Sequence, residues 1–129
     1  MNQHTLTSEE EKRLLEACSD LRLLPIVVAA IDTGMRRSEL LSLKWRDVDL
    51  EHGQITVLET KSKQARRVLI PTRLSRELKT LYAQNSEDQG QRVFGVADNA
   101  MMRLWRNGRE AARLPDLRFR DLRRARPGN

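Results

Sequence analysis

Apolar positions recur at helical spacing over most of this 129-residue chain and alternate in one short stretch. Thr7-Ser8-Glu9-Glu10-Glu11 offers a hydroxyl N-cap with a glutamate three positions on, followed by Leu14, Leu15 and Cys18, which predicts a first helix over about Ser8–Ser19. Leu21–Ile31 is apolar on nearly every face, with Pro25 in the first turn, where its missing N–H is tolerated, so this helix is expected at the centre of the core. Thr33-Gly34 breaks it, and Arg36–Leu43 restarts a short amphipathic helix with Leu40, Leu41 and Leu43 inward. Trp45 and Val48 are expected beneath an irregular link, and Gln54–Leu58 with Arg67–Ile70 predicts a hairpin whose loop carries Lys61, Lys63 and Arg66.

Pro71-Thr72 ends the sheet and caps a helix over about Arg73–Ala83, with Leu74, Leu78 and Leu81 on one side. Asn85–Arg92 reads as a mobile surface loop and Val93-Phe94 as a short third strand. Asp98 or Asn99 then caps a helix to about Arg113 with Met102 and Trp105 inward, and Asp116–Arg124 begins a last helix that Pro127-Gly128 stops. The expected fold is α+β, mainly helical with a small antiparallel sheet, in one domain.

Charged residues make up 33% of the chain and the net charge is +6, mostly from arginine, so a phosphate-bearing partner competes with a merely soluble basic protein. No apolar run approaches the ~18–20 residues of a membrane span and Met1–Thr7 is polar, which predicts a cytoplasmic protein without membrane contact. Cys18 stands alone within a helical pattern, where burial is its expected role, and His4 and His52 are isolated, so no metal is expected.

Three segments could carry chemistry. Thr33-Gly34-Met35-Arg36-Arg37-Ser38-Glu39-Leu40 sets an arginine after a glycine turn and a glutamate one helical turn later; this is either a phosphate grip steadied by an ion pair or an ordinary intrahelical salt bridge. Thr60-Lys61-Ser62-Lys63-Gln64-Ala65-Arg66-Arg67 crowds cations at the hairpin, where a lysine could reach a phosphate or the minor groove, or simply keep the turn in water. Phe119-Arg120-Asp121-Leu122-Arg123-Arg124, preceded by Arg118, is either a second phosphate clamp or a solvated basic tail.

In this order along one chain, the segments resemble the tyrosine recombinase and phage-integrase family: Thr-Gly-x-Arg-x-x-Glu-Leu, Leu-x-Trp-x-Asp-Val-Asp, Thr-Lys-x-x-x-x-Arg-x-Val and Leu-Arg-Phe-x-Asp-Leu-Arg, over about residues 6–124. The resemblance implies the family's catalytic core, a DNA breaking-rejoining fold, acting on double-stranded DNA with other recombinase protomers as partners and with neither cofactor nor small-molecule substrate. It implies catalytic roles for Arg36, Lys61 and Arg123, support from Glu39 and Arg120, and DNA contacts from Arg37, Lys63, Arg66, Arg118 and Arg124. Lys63 competes with Lys61 for the lysine role, and alignment of Arg66 and Val68 favours Lys61. In the family the arginines bind the scissile phosphate, the lysine protonates the leaving 5′-oxygen, and a later tyrosine attacks phosphorus.

The sequence also departs from the pattern. Arg120 stands where the family's first box histidine stands and cannot act as a base, because a guanidinium stays protonated. Arg124 occupies the place of the second histidine, and Tyr82, the one tyrosine, precedes the second arginine box and is expected to pack. The expectation is a partial catalytic domain, without the family's N-terminal core-binding domain and C-terminal tyrosine segment, and catalytically incomplete alone. A non-catalytic DNA-binding or interaction module and a relic with part of its leucine core exposed are the other readings.

Overall fold

The computed structural model describes residues 5–20, 22–59, 62–85 and 90–124. Helix α1, Ser8–Ala17, opens on the predicted capping box: the Thr7 hydroxyl accepts the Glu10 N–H at 3.1 Å and the Glu10 carboxylate accepts the Thr7 N–H at 3.0 Å. It ends short of Ser19 because Asp20 starts a new turn, its carboxylate accepting the N–H of Arg22 at 2.8 Å and its carbonyl those of Leu23 and Leu24.

Helix α2, Leu24–Thr33, is buried from Pro25 to Asp32, as a helix apolar on all sides must be. It begins after Leu21, which lies outside the described residues, and runs beyond Ile31 to a C-cap at Gly34 with φ 71°, a conformation that glycine alone adopts without strain. The Thr33 hydroxyl donates to the Ala29 carbonyl at 2.6 Å and accepts the Met35 N–H at 3.1 Å, so the break is held on both sides.

Helix α3 is Arg37–Ser42, and Arg36, expected as its first residue, is instead its extended N-cap. Leu40, Leu41 and Leu43 point inward as expected. One 3-10 turn, Trp45–Asp47, then buries Trp45 and leads into the sheet of β1 (Val48–Asp49), β2 (Gln54–Glu59) and β3 (Gln64–Leu69), antiparallel in that order.

Two sheet expectations are corrected. The third strand is Val48–Asp49 rather than Val93-Phe94. The latter pair is buried, but its backbone is engaged elsewhere: the Val93 N–H donates to the Leu43 carbonyl at 2.9 Å beside an isolated Lys44–Arg92 bridge. Arg66 is in β3 and not in the loop, paired across from Val57. Because side chains alternate along a strand, Arg66 and Val68 share the inner face with Ile55 and Val57, while Arg67 and Leu69 face outward with Thr56 and Leu58.

Helix α4, Thr72–Asn85, is slightly longer than predicted, with Leu74 and Leu78 fully buried and Leu81 half-buried. Helix α5, Asp98–Ala111, takes Ala97 as its N-cap without any side-chain bond, so Asp98 is helical rather than the cap. Its inward face is Met101, Trp105 and Gly108; Met102, expected inward, is half-buried, one position round the helix. A Cβ at Gly108 would lie 2.6 Å from the sulfur of Cys18, so α1 and α5 meet at glycine distance. Burial there pushes the Cys18 thiol up to about 11. The segment Phe119–Arg124 is a 3-10 helix rather than an α-helix, with Phe119 edge-on to Trp105 at 5.3 Å. Pro127-Gly128, expected to stop it, lies outside the described residues.

Among the described residues the large exposed apolar side chains are Leu58 and Leu69 on the outer sheet face and Tyr82 on α4, none of them from the helical core that the relic reading expected to find bared. No helix among them is long and apolar enough to cross a membrane.

Candidate phosphate-binding site

The glycine turn between α2 and α3 brings the sequence's two arginine boxes together. Arg36 follows Gly34 by two residues, and its backbone N–H donates to Glu39 Oε1 at 2.8 Å while its Nη1 lies 3.6 Å from Glu39 Oε2. From the C-terminal 3-10 helix, Arg123 Nε donates to the carbonyl of Gly34 itself at 2.6 Å. Residues distant in sequence thus meet at one turn, with Arg123 bonded to the residue two positions before Arg36.

Glu39 is held chiefly by Arg66, whose Nη1 and Nη2 donate to its two oxygens at 3.0 Å each in a forked pair. Burial by itself would push the Glu39 carboxyl up, but the hydrogen bonds from Arg66 and the Arg36 N–H, with both positive charges, outweigh it and hold the group below the usual glutamate range. The inner-face position of Arg66 makes this pair possible. Its guanidinium is spent on Glu39, whereas the Arg36 side chain stays 54% exposed.

A cleft of about 790 Å³ runs from this corner between α3 and the hairpin, lined by Arg36, Ser38, Ser42, Lys44, Arg46 and Ser62. Among the described residues Lys44 and Arg46 have no carboxylate partner, and neither stood out in the sequence. Their signal would have been their place on either side of Trp45, next to the Leu-x-Trp-x-Asp pattern.

The remaining predicted residues are distributed around this corner. Lys61 lies outside the described residues, as does the side chain of Arg124. Lys63 is exposed in the hairpin turn at φ 57°. Arg37 turns to α5, pairing with Asp98 at 3.1 Å and approaching the Met102 sulfur at 3.2 Å. Arg118 pairs with buried Asp121 at 3.5 Å, and Arg120 is exposed. Tyr82 packs edge-on to Trp45 at 5.2 Å beside a separate cleft of about 410 Å³.

The sequence reading missed a second ionic cluster. Asp32, in the last turn of α2, is 1% exposed at its side chain and accepts from Arg73 Nη2 at 2.7 Å and from its Nε at 2.9 Å, while Arg73 Nη1 donates to Glu11 of α1 at 3.1 Å. The available signal was a lone acid closing an otherwise apolar helix. Among the described residues no group of His, Cys, Asp and Glu could hold a metal ion.

A model of the Phage integrase family matches residues 4–125. The shufflon-specific DNA recombinase of Escherichia coli is 33% identical over 120 residues, covering 92% of this chain and 30% of the relative. Among solved structures, XerA recombinase superposes with a TM-score of 0.77 at 28% identity over 93% of this chain and 47% of its own. Lambda integrase, solved as a dimer bound to a COC′ core site, shares the fold with a TM-score of 0.74 at 20% identity, over 97% of this chain and 51% of its own. The chain therefore spans under a third of the recombinase and about half of each solved chain.

Proposed function

This chain belongs to the Phage integrase family, and on that premise we propose that it is the phosphate-gripping core of a site-specific tyrosine recombinase, acting on duplex DNA in recombination and integration. The observation that supports the reading is the bond from Arg123 Nε to the Gly34 carbonyl, two residues before Arg36, whose N–H and Nη1 face the Glu39 carboxylate. Two guanidinium groups that stay charged at any working pH would grip a scissile phosphate and stabilise the negative charge that grows on it in the transition state. By resemblance, Lys61 gives its proton to the departing 5′-oxygen as a tyrosine oxygen bonds to phosphorus and the bond from phosphorus to that 5′-oxygen breaks.

Tyr82 does not serve as that tyrosine: it packs on Trp45 and borders a different cleft. Arg120, exposed where the family has a histidine, cannot act as the base. These two facts favour a chain that binds without cutting alone, and they are also what a non-catalytic module would show. The cleft beside α3 supplies a track for the flanking backbone, with Lys44 and Arg46 as further phosphate contacts. The working form is cytoplasmic and paired on DNA with other protomers, as the lambda integrase that shares this fold is seen to pair.

Duplex affinity measured against salt tests the reading. Each phosphate contact contributes about −0.9 to the slope of log affinity on log salt. Arg36→Ala, Arg123→Ala, Lys44→Ala and Arg46→Ala should each make the slope shallower by about that amount. Affinity that is flat across salt would sink the reading. On a nicked substrate the 129-residue chain should yield no covalent adduct, and an adduct would overturn the role given to Tyr82.

A further inference from the structure

We propose that the buried Asp32–Arg73 pair is the positioning device of the phosphate clamp, fixing the last turn of α2 so that the Gly34 carbonyl aims Arg123. The effect on DNA rests on the clamp reading above; the effect on Arg123 does not.

Asp32 lies among fully buried apolar neighbours, with Ala30 and Ile31 both at 0% exposure. A carboxylate in such surroundings requires a partner, and Arg73, near the start of α4, supplies one as a fork: Nη2 to Oδ1 at 2.7 Å and Nε to Oδ2 at 2.9 Å. Its third nitrogen reaches Glu11 at 3.1 Å, so one guanidinium ties α4 to both α1 and α2. A fork constrains direction as well as distance, which an apolar contact between sliding helices does not.

That constraint is applied two residues before Gly34. The glycine's φ of 71° makes the turn permissive, and a permissive turn holds its carbonyl in one direction only if the backbone on both sides is anchored. On the α2 side the Asp32–Arg73 fork backs the Thr33 hydroxyl, which bonds Ala29 and Met35; on the other side stands the Glu39 carboxylate on the Arg36 N–H at 2.8 Å. Between them the Gly34 carbonyl receives Arg123 Nε at 2.6 Å. Arg73 is thus a positioning residue, acting on Arg123 through helix α2 and one carbonyl.

The test separates this role from a merely structural one. Replacing both partners, D32L with R73M, removes the buried charges together and should leave a cooperative melt close to that of the unaltered chain. If the fork aims the carbonyl, exchange of the Arg123 Nε–H with solvent, followed by NMR, speeds up at least about tenfold, and the salt slope on duplex DNA loses about 0.9. Arg73→Lys keeps the charge without the fork and should give an intermediate acceleration; it carries the test by itself if the double variant does not fold. Exchange unchanged from the unaltered chain in the folded variants overturns the proposal. Faster exchange with an unchanged slope leaves the positioning role standing and counts instead against Arg123 as a phosphate contact.

Discussion

Glu39 and Asp32 are both carboxylates gripped by a forked arginine from another element, yet they stand in opposite electrostatic settings. Glu39, 12% exposed at its side chain, faces Arg66 and Arg36, so one carboxylate is set against two guanidinium groups, one of them half open to solvent. Asp32, 1% exposed, shares a single arginine with Glu11. The first cluster keeps one arginine, Arg36, mostly exposed, and the second buries its Asp32 carboxylate while Arg73 and Glu11 stay partly exposed at 32% and 21%. A half-exposed arginine beside a carboxylate marks a place where an anion could bind, whereas a fork on a fully buried carboxylate such as Asp32 signals construction.

The largest expected effect falls on the buried cluster. Arg73→Met strands Asp32 without its fork and should cost about 3–5 kcal/mol in urea unfolding. A loss below about 1 kcal/mol would show that Asp32 reaches water and that the two clusters do not differ. Next, Gly108→Ala drives a methyl toward the Cys18 sulfur at 2.6 Å and should cost about 1–3 kcal/mol. Because Gly108 and Cys18 belong to neither cluster and α1 reaches the second only through the partly exposed Glu11, the salt slope for DNA should not change, and adding Cys18→Ala should recover part of the loss. A changed slope would mean that general loosening mimics the loss of the clamp.

Arg66→Met at the open cluster should cost about 1 kcal/mol of stability, since Glu39 keeps Arg36 and some water, while weakening DNA binding more than Arg73→Met does in fully folded samples. The reverse order would invert the comparison. The smallest effect is in acid. The folded Glu39 carboxyl titrates below its unfolded value, so its stabilisation is complete above about pH 4.3 and is lost as pH falls through the folded value. Urea midpoints of the chain and of Glu39→Gln should differ at neutral pH and converge as the pH falls below the folded value. A gap unchanged down to acid unfolding would assign the effect to shape rather than charge.

What could be read without coordinates was whatever local physics enforces. The Thr7–Glu10 box, the all-apolar α2, the glycine stop at Gly34 and the leucine face of α4 each follow from contacts between residues a few positions apart. Errors entered where one position decides: Met101 rather than Met102 inward on α5, and Arg66 within β3 rather than in the loop before Arg67. Neighbouring residues of the same type carry no sign of which is which until helix phase and strand register are set by packing. Val48–Asp49 replaced Val93-Phe94 as the third strand because a two-residue strand is too short to carry a periodicity, so only pairing partners distinguish them.

The candidate site divides along the same line. From the sequence alone, the order of the motifs carries the expectation that Arg36, Glu39 and Arg123 share one chemistry. Only the tertiary structure decided that Arg66 serves Glu39, that Gly34 receives Arg123, and that Arg73 pairs with Asp32. Those bonds join residues 27, 89 and 41 positions apart, and the directional fit of a guanidinium to its acceptor exists only once the helices and strands carrying them have packed.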